Sequence, residues 1–489
     1  MQNNIQNNTI NGLFWSSFER IGHQGIQFFI AVVLARLLLP EQFGLIAMLA
    51  IFMAVAQSFV DSGFGSALIQ KQDATHLDEC SVFYFNILVG FLVAGFLFLS
   101  APWIAAFYQI PLLTPLVRVL SLNLIINAFG VIQTTLLTKR IDFKSQMKVS
   151  VIAAVFSGSI GVAMAYRGYG VWSLVAQSIT NNFFRTILLW FFLPWRPSWI
   201  FSIVSLRSMF FFGSKLLFSG LLDTIYNNLY LVVIGKMFSA TTLGYYTQAE
   251  QAVRFPVGNL SSTVGRVTFP VFSSLQDDKD RLKRATRKAL SSLAMVNFPL
   301  MIGMVVVAEP LVLVVLTEKW LPCVPYFQLL SVAGILHPLH VINLNVLMAQ
   351  GRSDLFFRLE IYKKALVTAA IFFTARWGIM AMIYGQIATS VIAYYMNSYY
   401  TGKLLFYPAS EQIKDFIPVL FLASLMGIGV YLAKYLPLEN NIALLLSQVF
   451  IGIILYIALC RITNISSFVE IRSIAQDKYK SIRHPWNNI

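Results

Sequence analysis

Charged and hydrogen-bonding side chains recur at helical spacing inside long apolar runs of this sequence. Ser16, Arg20, His23 and Gln27 fall at i, i+4, i+7 and i+11, one stripe of a helix. Lys215, Ser219, Asp223 and Asn227 repeat every four residues, Gln57 shares a face with Asp61, and Glu250 shares one with Arg254. Glu19 and Arg266 lie in the same runs. A charge at depth in a bilayer costs ~2.5–3.5 kcal/mol, so such groups face water or one another. Two chemistries follow. The cations Arg20, Lys215, Arg254 and Arg266, assisted by His23, Gln27 and Asn227, suit the oxygens of a phosphate-bearing head group, because a guanidinium fork matches them. The carboxylates Asp61, Asp223, Glu19 and Glu250 suit coupling to a proton or sodium ion. Glu250 precedes Arg254 by four residues, a spacing that favours a fixed ion pair. Asp61 and Asp223 have no basic residue at i±3 or i±4 in their own runs, so they are the better titrating candidates. The competing reading is structural: ion pairs that lock helices together. Arg118 and Arg185 lie near the ends of their runs and are expected to snorkel.

Other chemistries find no support. There is no Gly-x-x-x-x-Gly-Lys-Ser/Thr loop, no His-Glu-x-x-His and no evident Ser-His-Asp set, so no catalytic residue is assigned. Cys80, Cys323 and Cys460 are far apart and read as apolar fillers. His337 and His340 share a helical face and read as hydrogen-bonded packing rather than a metal site. No metal and no cofactor are expected, and the energy source is expected to be a proton or sodium gradient.

The elements that position these residues must be membrane helices. Hydrophobic residues make up 57% of the 489 residues and charged residues 12%, with a mean hydropathy of +0.69. A soluble domain holds roughly a quarter charged residues. Runs of about 20 apolar residues cross ~30 Å of hydrocarbon as helices, and the chain holds about fourteen. The runs are too long and continuous for a barrel. The opening residues lack the basic region of a cleavable signal, so the first run is expected to stay. Net charge is +15, but the basic residues sit in clusters between apolar runs, which excludes nucleic acid as a partner. Lys139, Arg140, Lys144 and Lys148, then Lys279 to Lys288, then Arg352, Arg358, Lys363 and Lys364 fall in alternate loops. The opposite loops hold little beyond Arg36, Arg167, Lys236, Lys319, Arg376 and Lys434. Positive loops stay inside, so both termini are expected in the cytoplasm. The loops are short, which leaves no room for a catalytic domain.

The chain also repeats itself. Arg36 matches Lys236, Gly44 matches Gly244, Gly65 matches Gly265, and Asp142 matches Asp354 at a slowly drifting offset. A duplicated six-span unit gives parallel repeats. The expected organisation is a first six-helix lobe at 1–197, a second at 198–405, two further helices at 406–462 and a cytoplasmic tail at 463–489.

The order of motifs along the chain resembles a known family. Leu34-Ala35-Arg36-Leu37-Leu38-Leu39-Pro40-Glu41-Gln42-Phe43-Gly44 and Gly63-Phe64-Gly65-Ser66-Ala67-Leu68-Ile69-Gln70 are similar to the first hairpin of bacterial polysaccharide flippases. Tyr169-Gly170-Val171-Trp172-Ser173-Leu174, Leu243-Gly244-Tyr245-Tyr246 and Phe269-Pro270-Val271-Phe272, then a charged loop from Asp277 to Lys288, continue the pattern. The similarity is strongest to colanic-acid-type exporters of the multidrug, oligosaccharidyl-lipid and polysaccharide superfamily. It implies an all-α polytopic fold of two six-helix lobes in a V, as in multidrug extrusion transporters, plus two helices. It also implies flipping of undecaprenyl-pyrophosphate-linked oligosaccharide units across the bacterial inner membrane, beside polymerase and chain-length partners. The alternative on the same architecture is a drug or organic-cation antiporter. A membrane polymerase would show a long periplasmic loop, and a scaffold would lack a cavity.

Overall fold

Hydrocarbon offers a backbone no water to bond, so spanning segments must close their hydrogen bonds internally. The computed structural model describes residues 22, 24–438, 440–465, 468 and 469, and among these every element is helical. Among the described residues, ten helical stretches are long and apolar enough to cross a membrane, including Pro40–Gln70, His76–Tyr108, Leu113–Lys139 and Phe143–Tyr166. The chain is therefore a multi-pass membrane protein. Gln24–Leu37 is a shorter apolar helix. Three more long helices, Val171–Phe192, Ala240–Ser274 and Ser353–Thr374, fall outside the ten. They are interrupted by polar residues such as Arg185, Glu250, Arg254 and Lys363. A total of about fourteen spans stays a proposal.

The chain forms two compact units, Met1–Thr247 and Gln248–Ile489. Unit 1 holds α1 (Gln24–Leu37), α2 (Pro40–Asp61), α3 (Phe64–Gln70), α4 (His76–Tyr108), α5 (Leu113–Leu120), α6 (Leu122–Lys139), α7 (Phe143–Tyr166), α8 (Val171–Phe192) and α9 (Ile203–Met237). It ends inside α10 (Ala240–Ser274). Its core joins Phe64 and Leu68 of α3, Phe83 of α4, Ile132 and Leu136 of α6, and Leu189 of α8. Unit 2 holds the rest of α10, then α11 (Lys279–Val306), α12 (Ala308–Val315), α13 (Val324–Gly334), α14 (His337–Ala349), α15 (Ser353–Thr374), α16 (Ile379–Leu405), α17 (Ala409–Leu432) and α18 (Asn441–Thr463). Its core joins Phe298 of α11, Leu339 and Ile342 of α14, Tyr394 of α16, and Phe416 and Leu422 of α17. The helices α17 and α18 belong to this unit. Phe416 meets Phe298 edge-on at 5.5 Å, and the Tyr456 hydroxyl of α18 donates to the Met295 carbonyl at 2.9 Å.

Several expected spans are broken. The second breaks after Asp61, where Ser62 takes φ 46° and Gly63 φ 69°. A Cβ on Gly63 would lie 2.2 Å from the Gly213 carbonyl oxygen, so glycine serves both the turn and the approach of α9. The tenth breaks before His337, where Pro338 removes an N–H and its ring opposes the preceding turn. The fourth breaks at Ser121, whose hydroxyl donates to the Arg118 carbonyl at 2.7 Å. The ninth breaks at Val307.

The charged stretch expected as a loop from Asp277 to Lys288 is helical from Lys279, which corrects that expectation. Asp278 caps it by accepting from the Arg281 N–H at 2.9 Å. Its cations bind side chains of α17. Arg287 pairs with Asp415 at 2.6 Å and with Glu411, and Lys283 pairs with Glu411 at 3.0 Å.

Residues matched in the sequence fall at helix starts. Pro40 and Ala240 open helices 200 residues apart. A Cβ on Gly44 would lie 1.7 Å from the Ala240 carbonyl oxygen, and one on Gly244 1.9 Å from that of Pro40. The two helix starts thus cross backbone to backbone at equivalent glycines. Asp142 caps α7 by accepting from the Ser145 N–H at 3.0 Å, and Asp354 stands in the first turn of α15.

Candidate functional site

In unit 1, α9 lies antiparallel along α2: Gly235 faces Met48, Ser58 meets Thr224 at 3.4 Å, and Gly213 faces Gly63. This pairing uses one side of α9. Lys215, Ser219, Asp223 and Asn227 are all exposed, an open polar stripe along the helix. The spacing in the sequence therefore survives as one face. Among the described residues Lys215 makes no ion pair, whereas Asp223 has a partner.

At the C-terminal end of α2, Gln57 donates to the Asp61 carboxylate at 2.8 Å, one helical turn apart. Asp61 is the last residue of α2, where the negative end of the helix opposes a carboxylate. Arg185 of α8 lies close enough to attract it. Arg185 is half-buried, and its charge reaches Asp61. Arg118 is exposed and rests over the Phe98 ring at 4.9 Å. Gln27 is half-buried on α1. Glu19, Arg20 and His23 lie outside the described residues.

In unit 2, Glu250 and Arg254 of α10 attract each other, as their spacing implies. Arg266 is exposed and turns back to donate to the Ser262 carbonyl at 3.3 Å. Two turns beyond Arg254, Ser261 contacts Nδ1 of His337 at 3.4 Å. Arg254, and Lys363 of α15, also act on the His337 ring. Lys363 is paired with Glu360. The His337 and His340 rings meet edge-on at 6.5 Å. No group of three or more His, Cys, Asp or Glu residues among those described is placed to hold a metal, and all three cysteines are buried and free.

The sequence reading missed the polar network below these histidines. Gln412 of α17 accepts from the Tyr394 hydroxyl at 2.6 Å and from Ser398 at 3.2 Å, and donates to Asn343 Oδ1 at 3.1 Å. Thr401 donates to the same Asn343 oxygen at 2.9 Å. Asn343, Ser398, Thr401 and Gln412 are fully buried. Interhelical bonds of this kind average ~0.6 kcal/mol each in membranes, so the set locks α14, α16 and α17 together. A signal was present. Ser390, Tyr394, Asn397 and Thr401 fall at i, i+4, i+7 and i+11, the spacing that singled out the first span.

The arrangement offers cations and carboxylates within apolar helices of each unit, as anion binding and ion coupling require. Comparison with known proteins agrees in kind. The family described as polysaccharide biosynthesis protein matches residues 33–325. The teichuronic acid biosynthesis protein TuaB of Bacillus subtilis is 29% identical over 438 residues, covering 88% of each chain. The lipopolysaccharide biosynthesis protein WzxC of Escherichia coli is 27% identical over 80% of this chain and 81% of its own. The succinoglycan biosynthesis transport protein ExoT of Rhizobium meliloti is 25% identical over 94% of each. Among solved structures, the lipid II flippase MurJ in an inward closed conformation superposes with a TM-score of 0.75 at 14% identity, over 93% of this chain and 98% of its own. An inward-facing multidrug transporter of the MATE family gives 0.61 at 11% identity, over 78% and 95%. The fold is theirs.

Proposed function

The chain belongs to the polysaccharide biosynthesis protein family, and on that premise we propose that it flips lipid-linked oligosaccharide units across the bacterial inner membrane. The observation that carries the reading is the union of this family with an all-helical transporter fold that has charges of both signs within its helices. A sugar chain on a pyrophosphate cannot cross hydrocarbon unaided, so the protein must supply polar groups at depth. In this reading Arg20, Lys215, Arg254 and Arg266 hold the pyrophosphate of an undecaprenyl carrier, with His23, Gln27 and Asn227 beside them. Asp61, Asp223, Glu19 or Glu250 couples the cycle to a proton or sodium gradient. The protein transports and does not catalyse. Both termini are cytoplasmic, and a polymerase and chain-length machinery take the product outside. A drug antiporter is not favoured, because the family works in polysaccharide biosynthesis.

Deletion of the gene tests this directly. Surface polysaccharide should disappear while undecaprenyl-pyrophosphate oligosaccharide accumulates on the cytoplasmic side. Normal surface polysaccharide with no accumulated intermediate would overturn the reading. Complementation with Lys215→Ala or Arg254→Ala should restore membrane protein but at most about a tenth of export, the loss of roughly 1.4 kcal/mol in one step. Wild-type export by both would remove these cations from the site.

A further inference from the structure

His340 is held at both ring nitrogens inside unit 2. Nδ1 accepts from the Asn397 amide at 3.1 Å, and Nε2 lies 3.4 Å from the Ser390 hydroxyl. With Nδ1 accepting, the ring proton sits on Nε2 and the imidazole is neutral. Asn397 is fully buried, and among the described residues its Oδ1 has no hydrogen-bond partner. Turning that amide over would bring this oxygen to Nδ1 and receive a proton there. Either way one amide group is left unpaired. The Asn397 contact can therefore close around a neutral ring or, with the amide turned, around an imidazolium, although burial and the nearby cations oppose the charged form.

The charges nearby are specific. Arg254 of α10 repels a proton on His337, and Lys363 of α15 repels one on either ring. Lys363 is neutralised in part by Glu360, and Glu250 attracts Arg254. Tyr394 of α16 stands edge-on to His340 at 5.9 Å. Leu293, Ala294 and Phe298 of α11 join Leu339 and Ile342 of α14 in one apolar cluster, and α13 carries no charged residue. Ionisable groups so deep among membrane helices mark function by default.

We propose that His337 and His340 form a proton-binding site whose occupancy is coupled to an anionic head group at Arg254. The proposal rests on the transporter reading and places its coupling site on two histidines of unit 2 rather than on Asp61, Asp223, Glu19 or Glu250. An anion at Arg254 relieves that cation's repulsion of a proton on the pair, so each raises the affinity for the other, and by linkage the two effects are equal. Proton entry would then favour loading of the pyrophosphate, and loss of the proton would favour its release.

The test uses the purified full-length protein in nanodiscs, with inorganic pyrophosphate as the probe and titration calorimetry from pH 5.5 to 8. If one proton enters with the anion, the dissociation constant should rise by about tenfold for each unit increase in pH through the coupled range. His337→Gln with His340→Gln should lose that slope. The difference between the two proteins removes the titration of pyrophosphate itself. Equal slopes in both overturn the proton site alone, and a dissociation constant that follows sodium rather than pH overturns it as well. Absence of binding at every pH overturns both this site and the head-group reading. Should the double variant not accumulate, His337→Gln alone, which keeps both bonds of His340, carries the same comparison.

Discussion

Asp61 ends its helix in a place that is electrostatically costly for a carboxylate, and two neighbours offset that cost: Gln57 by a hydrogen bond and Arg185 by its charge. Gln57 is on the same helix, so the sequence pairs it. Arg185 comes from α8, more than a hundred residues later. The pairing has a measurable consequence. In a double-mutant cycle of unfolding in detergent, Asp61→Asn and Arg185→Gln should couple by about 1 kcal/mol. Additive losses would show that the two charges do not act on each other.

Elements meet in this fold where side chains are absent. Lipid tails are as apolar as leucine, so helices in a membrane gain their affinity from close packing rather than from leaving water. Gly44 and Gly244 show how close that packing is, for each lies against the first-turn carbonyl of the other helix. Gly44→Ala should therefore cost about 3 kcal/mol or more, since the clash is with backbone and no rotamer relieves it. Gly95→Ala, at a position with open space around the backbone, should change stability by less than about 0.5 kcal/mol. Thermal unfolding of the two purified variants decides the matter, and equal midpoints would show that the helix starts do not cross so closely. Ion pairs play a related part at the helix ends. Lys139 donates to the Leu68 and Lys71 carbonyls at 3.1 and 2.8 Å, closing α3, while Lys71 pairs with Asp78 at 2.9 Å. Basic residues that read as topology signals are also the fasteners of their own helix termini.

For the whole molecule, the distribution of basic residues predicts which ends of the helices face the cytoplasm. Arg284 and Lys434 are both exposed and fall on opposite sides in that scheme. Single cysteines at these positions, in a background where Cys80, Cys323 and Cys460 are already buried, should differ in reaction with an impermeant maleimide. Position 434 should label in intact cells and position 284 only after the membrane is opened. Labelling of position 284 from outside would reverse the orientation. The proposed lobe boundaries at 197 and 405 follow the repeat, whereas the compact units divide at Thr247. The two divisions describe different things, internal correspondence in the one case and packing in the other.

The residues by themselves determined that this is a membrane protein, that its spans are helices, and which side chains share a face. The bilayer sets the length of a run, and the helix sets the period, so both can be read one segment at a time. Lys215, Ser219, Asp223 and Asn227 thus needed no tertiary information to be placed on one stripe. The order of motifs likewise disclosed the family. Tertiary structure decided everything that depends on a partner from another segment. That the charge of Arg185 reaches Asp61 shows only once α8 is set beside α2. Asp277 to Lys288 looked like a loop, because charge alone signals water, yet Glu411 and Asp415 on α17 hold its cations on a helix. His337 and His340 looked like packing, and only the approach of α10, α15 and α16 surrounded them with Ser261, Lys363 and Asn397. A helical period names a direction for each side chain, but the energy of a buried charge is set by what stands in that direction.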